Sequence, residues 1–340
     1  MRFGYWMPIF GGWLRNVPDE RMSIAWPYIR DLAAASEQNG FELSLIAELN
    51  LNDIKGHRAP SLDCWTLAPA VAAVTEKLEL MLAVRPNYHS PSLTAKALST
   101  LDTIAPGRVS LNVVSSWWKD EAAQYGAPFD VHDARYARTE EWLDVVARLL
   151  REDTVTHQGA LYQLTGAILE PKPGRPPRVY MGGESPKAKD VIVRQADAYV
   201  MHGDAPEMIA AKIADMNSRR AAAGRPALTF GVSGYVICRD TQSEAQAELD
   251  RITDVRSSPE AYASYQDFVA GSQLESRVSV QEYSVSNRGL RSGLIGTPDQ
   301  IIDRLRAYER VGVGLVLLQF SPQREEMARF GKSVISRYAG

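Results

Sequence analysis

Short runs of β-branched and aliphatic residues alternate with longer amphipathic stretches along the whole chain, and this alternation limits the possible folds more than any other feature. Residues 2–10 read as a strand that stops at Gly11-Gly12. Residues 23–39 then place Ile24, Ile29, Leu32 and Ala33 at helical spacing, and Gly40 ends the run. The same unit recurs as strand 41–47 with helix 62–77, strand 78–84 with helix 92–104, and strand 108–114 with helix 133–152. Strands over 178–181, 198–201 and 228–238 follow, with helices over 185–195 and 205–223 between them. A helix over 298–311, a strand over 315–320 and a closing helix over 325–338 finish the chain.

Strands that alternate with helices predict a parallel sheet with right-handed crossovers. Eight such units predict a closed (β/α)8 TIM barrel, a fold of roughly 250 residues. A doubly wound open sheet is the rival. The chain has no dinucleotide fingerprint after a strand, since Gly312-Val-Gly314 precedes one, and this favours the barrel. The surplus over a minimal barrel falls in two insertions, 115–131 and 254–293. The second is polar, rich in serine and placed between the seventh and eighth units, with the size of an active-site lid. Residues 1–340 therefore read as one domain with a mobile lid.

Composition removes several function classes. Lysine plus arginine is 38 and aspartate plus glutamate 41, a net charge of −3, so no electrostatic case exists for nucleic acid or an anionic membrane. Cys64 and Cys238 stand far apart with no C-x-x-C, which argues against a disulfide framework and a cysteine zinc site. His57, His89, His132, His157 and His202 show no metal-ligand spacing, so no metal is expected. No apolar run reaches the roughly 18 residues of a membrane span. The N-terminus enters a strand-like run without a leader, and the expected location is cytoplasmic.

In a barrel, function belongs to the loops that follow the strands. After the fifth strand comes Gly182-Gly183-Glu184-Ser185-Pro186. The glycines permit close backbone approach, Ser185 suits an N-cap and Pro186 a first helical position. A capped βα turn is the plain reading; a phosphate site at the helix N-terminus is the functional one, with Glu184 counting against it unless its side chain points away. Asp133 is the expected cap of the next such helix start, and Arg135 and Tyr136 fall in its first turn, within reach of a phosphate. Asn112 interrupts an apolar strand and needs partners, either backbone or the edge of a heteroaromatic ring. Trp117 and Trp118 are expected on opposite sides of an extended chain, one on the core and one as a pocket wall. His202 follows the sixth strand and is expected at the barrel mouth.

Taken in order, Arg108-Val-Ser-Leu-Asn112-Val-Val-Ser-Ser-Trp117, His132-Asp-Ala-Arg-Tyr136, Gly182-Gly183-x-Ser185 and Leu294-Ile-Gly296-Thr-Pro298 resemble the bacterial-luciferase-like flavin monooxygenases over essentially the whole chain. Within that superfamily the chain is similar to the branch of alkanesulfonate, dimethyl sulfone and pyrimidine monooxygenases. Tyr5-Trp6-x-Pro8, Val113-Val114-Ser115-x-Trp117-x-Lys119 and Leu290-Arg291-x-x-Leu294-Ile-Gly-Thr-Pro298 are most like the dimethyl sulfone enzymes. The resemblance implies a barrel that takes reduced FMN from a separate NAD(P)H-dependent flavin reductase, uses O2, and in the sulfur branch breaks a carbon–sulfur bond. It implies FMN contacts at Ile46, Ala47, Asn112, Glu121, Arg135, Tyr136 and Ser185, and a homodimer or homotetramer.

The departures bear on substrate. The alkanesulfonate enzymes carry Phe-Gly-Ile-Arg-Leu-His where this chain has Phe230-Gly231-Val232-Ser233-Gly234-Tyr235, and a tryptophan where it has His202. Their first-strand histidine is Phe10 here, and their late Tyr-Pro-His is Phe320-Ser321-Pro322. A sulfonate is a full anion and needs cationic donors, so these losses favour a neutral sulfone or another small neutral molecule. Arg291, ending the long insertion, is the candidate lid residue, with Arg288 as its alternative; Trp6, Trp117 and Tyr235 are the candidate pocket walls. A water-excluding, aromatic-lined mouth under a lid suits oxygen chemistry at a flavin. Rival readings are an oxygenase of a nitrogen heterocycle, a non-enzymatic flavin-binding barrel, and a deazaflavin-dependent dehydrogenase on the same fold.

Overall fold

The computed structural model describes residues 1–254, 265 and 278–338. Eight parallel strands close into a barrel: β1 (Arg2–Trp6), β2 (Leu43–Ile46), β3 (Glu79–Val84), β4 (Val109–Val113), β7 (Arg178–Met181), β8 (Ala198–His202), β9 (Thr229–Tyr235) and β12 (Val313–Gln319), with β1 pairing both β2 and β12. The crossover helices are α1 (Trp26–Gln38), α2 (Cys64–Ala73), α3 (Pro91–Ile104), α5 (His132–Leu149), α6 (Pro186–Gln195), α7 (Pro206–Ala222) and α10 (Pro298–Arg310). The expected barrel is therefore the observed one. The helices pack an apolar face on the outside of the sheet, where the main core lies.

Expectation and structure differ mostly at element ends and in the excursions. The first strand stops at Trp6 instead of Phe10, because Met7–Gly12 turns into a loop. The seventh strand splits: β10 (Ile237–Cys238) leaves the barrel to pair with β11 (Ile295–Gly296). The insertion 115–131 contains a short helix, α4 (Lys119–Gln124). A hairpin of β5 (Val155–Gln158) and β6 (Gln163–Ala167) and a helix α8 (Gln242–Ile252), closed by a Thr241–Glu244 capping box, had no counterpart in the sequence reading. The closing helix is α11 (Gln323–Phe330) followed by a π-turn over Gly331–Ile335 and a short last turn. Most of the expected lid, 255–264 and 266–277, lies outside the described residues. Its end is described, as α9 (Val280–Tyr283) and a 3-10 segment over Ser286–Ser292.

The barrel lumen is packed by Leu43, Leu45, Met81, Tyr180, Leu315 and Leu317, with Trp6 and Val200 against them. At the N-terminal end the lumen is sealed by polar groups. The Glu79 carboxylate accepts from Arg2 at 2.9 Å, from the Ser110 hydroxyl at 2.6 Å and from the Tyr180 hydroxyl at 3.2 Å. The Arg178 guanidinium covers the Tyr180 ring. The other end, where the strands finish, is the mouth.

Candidate active site

Strand register decides which side chains reach the mouth. Residues two apart face the same way, and Tyr180, Ala198 and Val200 face the lumen. Asn112 is in register with Tyr180, Trp6 with Leu45, and His202 continues the row of Ala198 and Val200. Trp6, Asn112 and His202 therefore line one rim of the lumen at the strands' C-terminal ends. The Trp6 indole Nε1–H is buried with no hydrogen-bond partner, although its ring packs edge-on against Trp13. A buried donor left unpaired in this way costs free energy that a ligand can recover.

His202 donates from Nδ1 to the Asn287 carbonyl at 3.0 Å. A carbonyl only accepts, so the proton sits on Nδ1 and Nε2 is an acceptor. Burial, and then the nearby Arg288 charge, pull the imidazole down to about 4, so it is neutral at physiological pH.

The second part of the site lies at two helix starts. Ser185 caps α6, its hydroxyl accepting from the Ala188 amide at 3.2 Å, and Pro186 is the first helical residue, as expected. Tyr136, in the first turns of α5, hydrogen bonds Ser185; burial pushes the phenol up, opposed by that bond and by the Arg135 charge. Gly183 between them has φ +146, and a Cβ there would stand 2.6 Å from Ala188 Cβ and 3.3 Å from the Tyr136 hydroxyl. Only glycine leaves this cradle open. The Gly182 backbone approaches Val200, where a Cβ would meet its carbonyl at 3.0 Å.

Arg135 is placed differently from expectation. Its guanidinium lies over the Phe129 ring, 4.6 Å from the centroid, and donates to the Asp130 carbonyl, while its buried Nε has no partner. The helix starts at His132 with Val131 as cap residue, so Asp133 is not the cap; it bonds His132 instead.

Several other candidates sit elsewhere than anticipated. Trp117 and Trp118 do not point to opposite sides: Ser116 takes φ +52, the extended run breaks, and the two indoles stack 5.4 Å apart and 4° from parallel. Trp117 is 49% exposed, a rim residue and not an enclosed wall. Tyr235 is fully buried and its hydroxyl bonds Ser321, and burial raises it well above the ordinary phenol value. Arg291 pairs with Glu282 at 2.5 Å and lies 4.0 Å from Asp204, whereas Arg288 is the arginine beside His202. Ile46 and Ala47, by contrast, lie at the end of β2 as expected, and are buried.

Glu121 is completely buried and occupied. It takes the Arg85 guanidinium, the Asn50 amide at 2.5 Å and the Tyr88 hydroxyl at 3.3 Å. Glu48 accepts from the Arg85 amide at 2.7 Å and pairs with His89. This buried network fixes the loops after β2 and β3. It joins Arg85 to Glu121 and Glu48 to His89 across 36 and 41 positions, which local pattern does not reveal; Arg85, set between Val84 and Pro86, is the residue whose apolar neighbours give a signal. His89, in the loop after β3, is thus a member of this network. Among the described residues no cluster of His, Cys, Asp or Glu could hold a metal ion.

A (β/α)8 barrel whose mouth carries unsatisfied polar groups beside a glycine cradle between two helix starts is the architecture of an enzyme that takes an anionic ligand at the strands' C-terminal ends. The sequence profile described as luciferase-like monooxygenase matches residues 1–314, and the chain belongs to this family of enzymes. Among its relatives, the FMNH(2)-dependent dimethylsulfone monooxygenase of Pseudomonas putida is 35% identical over 347 residues, covering 98% of this chain and 94% of that protein. The enzyme of the same description from Pseudomonas fluorescens (strain Pf0-1) is 32% identical over 345 residues, covering 98% and 93%. The structure of DmoA from Hyphomicrobium sulfonivorans superposes with a TM-score of 0.79 at 20% identity over 99% of this chain and 87% of that one, a likeness of fold.

Proposed function

We propose that this protein is an FMNH2-dependent monooxygenase that oxygenates a small neutral organosulfur compound, a sulfone first of all, and breaks its carbon–sulfur bond. The observation that carries the cofactor reading is the Tyr136–Ser185 pair across the Gly183 cradle, with the unpartnered Arg135 Nε one residue away. These groups suit a phosphate: two hydroxyl donors, free amides at the start of α6 and a nearby cation. Reduced FMN supplies the electrons that divide dioxygen between substrate and water. With a sulfone, one methyl carbon leaves as an aldehyde, and the sulfur leaves as a sulfinate.

The chain's own residues position and shield. Trp6 and Asn112 offer donors at the lumen rim. His202, held neutral, offers the Nε2 acceptor without adding a charge. The cation nearest to it, Arg288, is paired with Glu184. A mouth of this polarity suits a neutral substrate better than a sulfonate anion. Arg291, Tyr235 and Trp117 enter this reading as supports of the closing segment and rim. The reading includes a separate NAD(P)H-dependent flavin reductase, a cytoplasmic location in keeping with two buried free cysteines, and self-association, for which exposed Leu93 and Ile104 on α3 offer apolar surface. Residues 254–293 act in it as the lid of a single domain. Among the described residues no helix is long and apolar enough to cross a membrane.

The test supplies a flavin reductase, FMN and NAD(P)H and offers dimethyl sulfone, methanesulfonate and uracil in parallel. Sulfinate is expected from the sulfone, and neither of the others should be turned over comparably. Product from uracil alone would favour the heterocycle reading.

A further inference from the structure

The residue that should spoil the phosphate cradle is Glu184, which stands between Gly183 and Ser185. A carboxylate beside a phosphate is repulsive, and in a half-dry cleft strongly so. The structure shows how that repulsion is removed. Arg288 donates to Glu184 Oε1 at 2.9 Å, and Lys212 of α7 lies 3.4 Å from the same oxygen. All three side chains are largely out of solvent, at 6%, 8% and 11% exposure for Arg288, Glu184 and Lys212. His202, a further titratable neighbour, is neutral. The carboxylate is thus set between two cations.

Arg288 reaches this position from the far side of the chain, 104 residues away. It does so from a backbone that an arginine rarely adopts: Asn287 and Arg288 both take φ +53. Two successive left-handed non-glycine residues are unfavourable and persist only where the surroundings hold them. Three contacts hold this turn. Asn287 accepts from His202, Gly289 lies where a Cβ would come within 2.7 Å of Tyr235 Cβ, and Ser292 packs on Gly203 and Gly234. The turn therefore seats on the ends of β8 and β9 and points its arginine at the Glu184 carboxylate.

We infer that Arg288 is a positioning residue for the cofactor's phosphate: by neutralising and holding Glu184 it makes the Gly182–Ser185 turn compatible with an anion, so the phosphate cradle is complete only when the Ser286–Ser292 turn is seated. This rests on the flavin reading above and deepens it. Arg288 acts through Glu184 and does not itself contact the phosphate.

The test is a flavin fluorescence titration of the full-length protein with FMN and with riboflavin, which lacks the phosphate. It compares wild type, Arg288→Met, Glu184→Gln and the double variant. Wild type should prefer FMN. Arg288→Met should lose about tenfold of that preference, the effect of taking away the nearer of the two cations that hold a carboxylate several ångströms from a phosphate, with riboflavin affinity little changed. Glu184→Gln should keep the preference, and the double variant should recover most of what Arg288→Met loses. Recovery in the double variant also shows that Arg288→Met had not simply unfolded. An unchanged FMN preference in Arg288→Met overturns the inference, and so does a loss that persists in the Glu184→Gln background, since that assigns Arg288 a direct phosphate contact. A wild type that binds riboflavin as tightly as FMN overturns instead the phosphate reading on which the inference stands.

Discussion

The two ends of the barrel lumen are built from similar residue types and treated in opposite ways. At the N-terminal end, Arg2, Glu79, Ser110 and Tyr180 satisfy one another and seal the lumen. At the C-terminal end, Trp6 Nε1 and, farther out, Ser116 Oγ and Arg135 Nε are buried without partners, and the backbone takes left-handed values at Ser116, Asn287 and Arg288. The sealed end of the lumen therefore pairs its polar groups with one another. The mouth keeps donors open and strained backbone where a ligand would bind.

That contrast can be broken most forcefully at the sealed end. Glu79→Ala strips three donors of their acceptor and should destabilise the protein by about 3 kcal/mol, read by urea unfolding, while the flavin affinity of the folded fraction stays as it was. A change in affinity as large as the change in stability would erase the distinction between the ends. At the open end, Ser185→Ala should cost about 1 kcal/mol of stability through the lost cap, yet weaken FMN binding by roughly tenfold because a phosphate donor is also lost. Trp6→Phe is the sharper probe. Removing an unpaired buried N–H should leave stability unchanged or slightly raised, within about 1 kcal/mol, and raise the KM for the sulfone. A clear loss of stability would mean that the indole already has a structural partner.

The smallest expected effect is on pH dependence. His202 titrates near 4 in the folded protein and near its ordinary 6.5 when unfolded. The unfolded chain then binds the extra proton between those values, so stability falls as pH drops from about 6.5 to about 4 and is fully present above that window. His202→Gln should flatten this part of the stability profile. An identical slope in wild type and variant would remove the neutral-imidazole assignment.

How far the sequence discloses such a molecule depends on how local the determinant is. The strands β1, β3, β4 and β7 and the helices that follow them are set by two-residue and 3.6-residue periodicities, which a single pass along the chain detects. Ser185-Pro186 announces its own cap. Asn112 stands out because its neighbours are apolar. By contrast, the Arg85–Glu121 pair and the Arg288–Glu184 pair join segments 36 and 104 positions apart, and charge alone cannot say which partners meet. The Trp117–Trp118 stack depends on one φ value at Ser116. Choosing between Arg288 and Arg291 depends on the left-handed turn at Asn287 and Arg288, a conformation that asparagine tolerates but arginine rarely adopts.

The central claim is that the mouth takes a flavin with its phosphate between the starts of α5 and α6. A crystal structure of the FMN complex tests it directly. The account predicts phosphate oxygens within hydrogen-bond distance of Ser185 Oγ and the Tyr136 hydroxyl, with the ring over the lumen beside Trp6 and Asn112. A phosphate held elsewhere, for instance in the arginine-lined outer groove of about 560 Å³ between Arg239, Arg251 and Arg329, would contradict it.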